Sequence, residues 1–270
     1  MLSWLSALSP RRRLLVLVVA VLAAVPLGAL AASRLGQKAR DVPAQNRPGA
    51  VVLVPGYGGN TSSLALLANR IRATGRTARV VDLPDGGTGD LTRQADAVED
   101  AVAAVLADGG AAWAVSDGAP SVDVVGYSAG GVVARLWVQR HDGVHKARRI
   151  VTLGSPHHGA RLAAAGVAAA PGACPTACQQ LAGGSRLLAD LATPVPYPPA
   201  WLSVRTVQDE TVTPPDSARL EGAVNVAIQD LCPGRRVSHS QLPADAVVTR
   251  LVLAAIGPGP LTVPKTCLSS

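Results

Sequence analysis

A chain of 270 residues with 48% hydrophobic and 16% charged content is long enough for one well-filled globular domain and short for two. Its formal charge of +7 includes the Arg11–Arg12–Arg13 triplet, and only 3% of residues are aromatic. A modest surplus of positive charge without a second basic block argues against nucleic acid as a partner.

The Arg11–Arg13 triplet precedes an uncharged apolar run from Leu14 to Ala32, the pattern of an export signal. Pro26, Gly28 and Ala29-Leu30-Ala31 suggest a break followed by a small-residue cleavage site, so cleavage after Ala31 is favoured. The run also approaches the length of a spanning helix, which leaves open an uncleaved anchor touching the membrane with the domain outside it. Residues 1–32 are therefore read as signal peptide or signal anchor. Residues 33–48 are polar, carry Pro43 and Pro48, and read as a linker. Residues 49–270 remain as the folded domain.

That domain opens with Ala50–Val54, an apolar β-branched run ending at Pro55-Gly56, as a strand buried on both faces would. Leu64, Leu67, Ala68 and Ile71 recur at helical spacing behind Thr61 or Ser62 as a cap, and Gly75 ends the pattern. A second strand is expected over Thr77–Leu83, and a second amphipathic helix over Thr92–Ala107 with Ala95, Val98, Val102 and Val105 on one stripe. Further short strands are expected at Val122–Val125, Arg149–Leu153, Ser203–Val207 and Val224–Ile228. Such βα alternation implies a mostly parallel sheet with helices on both faces, and places functional groups beyond the C-terminal strand ends. Two stretches depart from it: the tail beyond Gly257, and the Pro-rich segment Pro171–Pro199, which lies where a cap or lid could sit.

Four cysteines, Cys174, Cys178, Cys232 and Cys267, in an exported chain read as disulfides. Proximity favours Cys174 with Cys178, leaving Cys232 with Cys267 to tie down the tail. A zinc site is disfavoured, because the close pair has no second close pair and no neighbouring His.

Directly after the strand at Val122–Val125 comes Gly126-Tyr127-Ser128-Ala129-Gly130, then an apolar helical stretch through Val132, Val133, Leu136 and Trp137. This is G-x-S-x-G in strand-turn-helix context. A turn this tight needs residues without bulk two before and two after the serine, and the following helix aims N–H groups at developing oxyanion charge. Ser128 is thus the candidate nucleophile.

A serine nucleophile needs a base, and the base needs an acid to hold its tautomer. His141 and His145 follow Ser128 too closely, and His157 and His158 leave no room for an acid on a later strand. His239 alone lies beyond the last expected strand. Asp209 follows the strand before it and fits the acid; Glu210 is expected to point elsewhere, and Asp216 lies past Pro214-Pro215. The oxyanion donors are assigned to the N–H groups of Ala129 and of Tyr57, in the Gly-rich loop Pro55-Gly56-Tyr57-Gly58-Gly59-Asn60. That loop is no P-loop, since no Gly-Lys-Ser or Gly-Lys-Thr follows.

Val54-Pro55-Gly56-Tyr57-Gly58-Gly59, the serine motif, Thr152-Leu153-Gly154-Ser155-Pro156-His157-His158-Gly159, Asp209-Glu210-Thr211-Val212-Thr213-Pro214 and Val237-Ser238-His239 together resemble the bacterial secreted lipases of the lipase class 2 type. The likeness spans about Ala50 to Leu253. It implies a minimal α/β-hydrolase fold with about six strands, and a secreted or outer-face lipase or carboxylesterase acting on acylglycerols. It further implies a monomer with no cofactor or metal, in which His157 and His158 belong to a structural loop beside the site. Pro55 departs from the family, which usually has His there; the backbone donors are unaffected, but the bracing of the loop is put in question. A short Pro171–Pro199 segment implies an open site with little interfacial activation. The alternatives are a cell-envelope acyltransferase or lipid deacylase with the same triad, and a non-catalytic binding protein on the same fold.

Overall fold

The computed structural model describes residues 9–12, 42–108, 120–191 and 193–267. The chain separates into two units, Met1–Val42 and Pro43–Ser270. In the first, the export segment expected at Leu14–Ala32 lies outside the described residues, as does most of the linker. Among the described residues, no helix is long and apolar enough to cross a membrane.

The second unit is an α/β-hydrolase fold. Its six-stranded sheet runs β2-β1-β3-β4-β5-β6, with β1 Ala50–Val54, β2 Ala78–Val80, β3 Val122–Tyr127, β4 Ala147–Leu153, β5 Ala200–Arg205 and β6 Val224–Ala227. Every pairing is parallel. All five β1 residues are buried because both sheet faces are covered. Val52 and Val54 face helices α2 (Leu91–Asp108) and α3 (Ala129–Arg140), packing with Val98, Val102, Val132 and Trp137. Val51 and Leu53 face α1 (Ser62–Arg72) and the last helix, α8 (Ala246–Ala255), packing with Leu67, Ile71, Val248 and Leu251. Trp137 is fully buried, and its indole N–H donates to Glu99 Oε2 at 2.8 Å, so the largest core side chain leaves no polar atom unmet.

Strand ends differ from the sequence reading where pattern and pairing part company. The edge strand β2 holds three ladder residues instead of seven, although Val81 N–H still donates to Leu53 O at 2.9 Å. β5 begins three residues earlier than expected and stops at Arg205. Beyond it, Thr206 leaves the ladder and gives its hydroxyl to Val237 O at 2.7 Å. Between β4 and β5 lie α4 (Arg161–Ala169), α5 (Thr176–Gln180) and α6 (Arg186–Ala189); the short α7 (Ile228–Leu231) precedes α8. Asp245 caps α8, accepting from Val247 N at 2.8 Å and Val248 N at 3.1 Å. The disulfides are Cys174–Cys178 and Cys232–Cys267, as proximity in sequence suggests.

At the N-terminal end of β3 sits a buried ionic cluster. Asp123, fully buried, accepts from Arg148 Nε at 3.0 Å and Nη2 at 2.6 Å, and from Arg76 Nη2 at 2.5 Å. The two guanidiniums also reach backbone at both ends of the domain. Arg76 donates to Gly49 O (2.8 Å) and Ile256 O (2.7 Å), and Arg148 to Gln45 O (3.1 Å) and Gly257 O (2.7 Å). Each buried charge is thereby paired and hydrogen-bonded, the condition under which burial is tolerable.

Candidate active site

The turn after β3 puts Ser128 at φ +53°, ψ −126°, a conformation non-glycine residues adopt only when the surroundings enforce it. Those surroundings are backbone pressed against backbone. A Cβ on Gly130 would lie 2.2 Å from Val54 O, one on Gly126 would lie 2.6 Å from Gly130 O, and one on Gly56 would lie 2.9 Å from the Ser128 Cβ. The glycines flanking the serine are therefore required by contact. The same approach braces the first loop: Gly58 N–H donates to Gly87 O at 3.3 Å, and Gly59 abuts Gly86 and Gly87. Main-chain packing thus holds the loop after Pro55 in place.

Ser128 precedes the first turn of α3, yet its side chain caps no helix N–H. Its Oγ lies 2.9 Å from His239 Nε2, and His239 Nδ1 lies 2.8 Å from Asp209 Oδ2. The other Asp209 oxygen accepts from Val212 N at 2.7 Å and Thr211 N at 3.0 Å, which fixes the carboxylate and leaves one oxygen for the imidazole. The acid and histidine loops are cross-linked by Thr206 Oγ1 to Val237 O (2.7 Å) and Val237 N to Gln208 Oε1 (3.0 Å). Gly154, at φ +55°, underlies the pair: a Cβ there would sit 3.1 Å from His239 Nδ1 and 3.2 Å from Asp209 Oδ2.

Ser128, His239 and Asp209 are thus brought together from distant parts of the chain. Tyr57 and Ala129 share one cleft with Ser128. Neither of their N–H groups has a hydrogen-bond partner among the described residues, and the positive end of α3 lies at Ala129. The cleft, about 350 Å³, has almost entirely apolar walls that include Leu162, Ala163, Gly166, Cys178 and Leu181. Leu162, Ala163 and Gly166 come from α4, and Cys178 and Leu181 from the Pro171–Pro199 segment, the stretch where a cap or lid could sit.

The remaining candidates lie elsewhere. His141 and His145 pair with Asp96 and Asp142 near the surface, and Asp216 pairs with Arg205 at 3.0 Å. His157 is buried with Nε2 3.1 Å from Thr152 Oγ1. Burial first, then the charges of Arg135 and His158, hold its pKa well below the usual imidazole range.

Glu210 does not point away. Its Oε2 accepts the His239 backbone N–H at 3.1 Å, holding the imidazole's loop from behind. Tyr127 adds a second brace, with its ring tilted against His239 at 5.2 Å between centroids and its hydroxyl donating to His239 O at 3.3 Å. Burial, with smaller contributions from Asp209 and Glu210, pushes that phenol up to about 12, so it stays a donor. An acid beside Asp209 and an aromatic beside Ser128 were the sequence signals for these contacts, but which groups they touch is tertiary information.

Comparison with solved structures places this fold among lipases and esterases. Aspergillus fumigatus lipase B superposes with a TM-score of 0.63 at 16% identity, over 82% of this chain and 56% of that one. Bacillus licheniformis lipase BlEst2 in mature form gives 0.62 at 18% identity, over 80% and 94% of the two chains. A structure from the metagenome-derived lipolytic enzymes LipS and LipT gives 0.56 at 14% identity, over 80% and 94%. No curated protein sequence matches significantly. The family model for palmitoyl protein thioesterase matches residues 50–193, from the first strand through the serine turn to the segment beyond α6. With more than half of its 270 residues so matched, on a lipase- and esterase-like sheet, the chain belongs to the palmitoyl protein thioesterase family of the α/β-hydrolase superfamily.

Proposed function

We propose that the protein is an exported serine hydrolase that cleaves acyl esters through a Ser128–His239–Asp209 triad, with acylglycerols or related lipid esters as substrates. The observation that carries this reading is the unbroken hydrogen-bonded line Asp209–His239–Ser128, ending in an apolar cleft. In the first step His239 Nε2 takes the Ser128 proton as Oγ bonds to the ester carbonyl carbon. Asp209 stabilises the imidazolium, and the Tyr57 and Ala129 N–H groups receive the oxyanion. As the tetrahedral intermediate collapses, the carbon–oxygen bond to the alcohol breaks and His239 returns the proton to the alcohol. Water, deprotonated by His239, then attacks the acyl-enzyme; the acid departs and Ser128 regains its hydrogen. No step calls on a metal or cofactor. The protein acts as a monomer, on the outer side of the membrane that the N-terminal segment addresses.

The family match favours a second substrate class, acyl thioesters. The same acyl-enzyme forms, but a thiol with pKa near 8.5 leaves far more readily as its anion than an alcohol does. Thioester cleavage would therefore depend less on His239 as an acid. Fluorophosphonate labelling decides the serine reading: the wild type labels and Ser128→Ala does not. Labelling that persists unchanged in Ser128→Ala would overturn it. Rates on matched acyl esters and thioesters then rank the two classes.

A further inference from the structure

Resting on the serine hydrolase reading, with the cleft beside Ser128 taking the acyl chain, we infer that Gly166, set against the Cys174–Cys178 disulfide, is the residue that opens room in this cleft for longer chains. The occupant follows from continuity. The cleft is shared by Ser128 and by Leu162, Ala163, Gly166, Cys178 and Leu181, so an acyl group bonded to Oγ has apolar surface beside it and no charged side chain to desolvate.

The wall has an unusual construction. Helix α4, which supplies Leu162, Ala163 and Gly166, has no buried residue, and Leu162 is 68% exposed. The core touches it through the partly buried Ala163. It rests also on α5, which is anchored: Ala177 is fully buried and its N–H donates to Thr88 O at 3.1 Å. The Gln180 side chain accepts from Leu91 N and donates to Asp90 Oδ1, both at 2.8 Å. Between the helices lies the disulfide. A Cβ on Gly166 would be 3.2 Å from Cys178 Sγ and 3.7 Å from Cys174 Sγ. Any larger side chain at 166 must therefore displace the sulfurs or occupy the cleft. The sulfur pair thus presents a fixed apolar surface to the substrate, and a residue with no side chain leaves the room beside it.

The test measures kcat/KM for p-nitrophenyl esters from acetate to decanoate and reads the ratio of decanoate to acetate, so that a general loss of activity does not count. In the wild type the ratio rises with chain length, by up to about fourfold for each methylene the cleft buries. Gly166→Leu removes room for roughly three methylenes, and the ratio falls about 60-fold. In Cys174→Ser/Cys178→Ser the wall loosens, and the ratio falls by at least about fourfold, the worth of one methylene. Should Gly166→Leu fail to fold, by circular dichroism, Ala163→Leu on the same wall takes its place with the same expected direction. A flat chain-length profile in an active wild type overturns the inference, and so does an unchanged ratio in active variants. Absence of all ester and thioester hydrolysis, together with absence of Ser128 labelling, would instead remove the hydrolase reading on which the inference stands.

Discussion

Replacing Gly154 by alanine tests whether the His239–Asp209 pair is seated on the backbone below it. The new methyl group would lie 3.1 Å from His239 Nδ1 and 3.2 Å from Asp209 Oδ2, inside the roughly 3.5 Å at which nonbonded contacts become favourable. It would also lie 2.6 Å from Leu242 Cδ1, the end of a side chain that can turn aside. The pair must then move by about 0.3–0.4 Å. A displacement of 1 Å costs about 100-fold in rate, so a shift of this size should lower kcat about 4- to 6-fold. At φ +55° alanine adds about 1 kcal/mol of backbone strain, or about 2–4 °C in melting temperature for a domain of this size. Gly75→Ala is the control: its φ is +83° and nothing lies within 4 Å of its Cβ, so it carries the strain without the wedge. The assay is hydrolysis of p-nitrophenyl butyrate beside a thermal melt. If Gly154→Ala melts like Gly75→Ala and turns over at the wild-type rate, the pair is not seated as described.

Asp123→Ala should strand the buried Arg148 and leave Arg76 without its carboxylate, a loss of about 3–5 kcal/mol. Urea unfolding followed by tryptophan fluorescence should show a midpoint about 1–1.7 M lower at an m-value near 3 kcal/mol/M; a change below about 1 kcal/mol would contradict the role given to the cluster. His157 yields a pH effect of defined sign. Its folded pKa is depressed, so below the unfolded value of about 6.5 the unfolded chain binds a proton that the native state refuses. Stability present above that pH is lost as pH falls toward the folded pKa, by up to about 1.4 kcal/mol per unit. The stability difference between wild type and His157→Gln should accordingly shrink between pH 6.5 and 5, and parallel curves would rule out the buried neutral imidazole.

The parts readable in the sequence are those fixed by local chemistry. Ala50–Val54 and Val122–Val125 announce doubly buried strands because every position is apolar or β-branched, apart from Asp123, and both strands stand in the sheet. Gly126 and Gly130 announce the serine turn because no side chain fits there. His239 and Asp209 emerge from the order of strands, and the structure puts both within hydrogen-bond reach of their partners. What stayed hidden depends on approach between distant segments. Glu210 reads as a solvated neighbour until the His239 loop folds over it, and Gly154 reads as a turn glycine until two loops settle on it. Helix α4, rich in alanine, offers no recurring large apolar residues to announce it, and none of its residues is fully buried. The start of β5 was masked by Pro198-Pro199, which look like a turn but lead directly into the ladder at Ala200.

Arg76 and Arg148 gather Gln45, Gly49, Ile256 and Gly257 around one carboxylate. That carboxylate sits five residues before Ser128 on β3 and its turn, roughly 16 Å away at strand rise. The segment that enters the domain and the end of its last helix therefore meet at the N-terminal end of β3. A tag, bead or surface attachment joined ahead of Gln45 would leave the catalytic mouth turned toward free solution, whereas the tail beyond Gly257 is carried back to Cys232 by its disulfide and offers no such remote point.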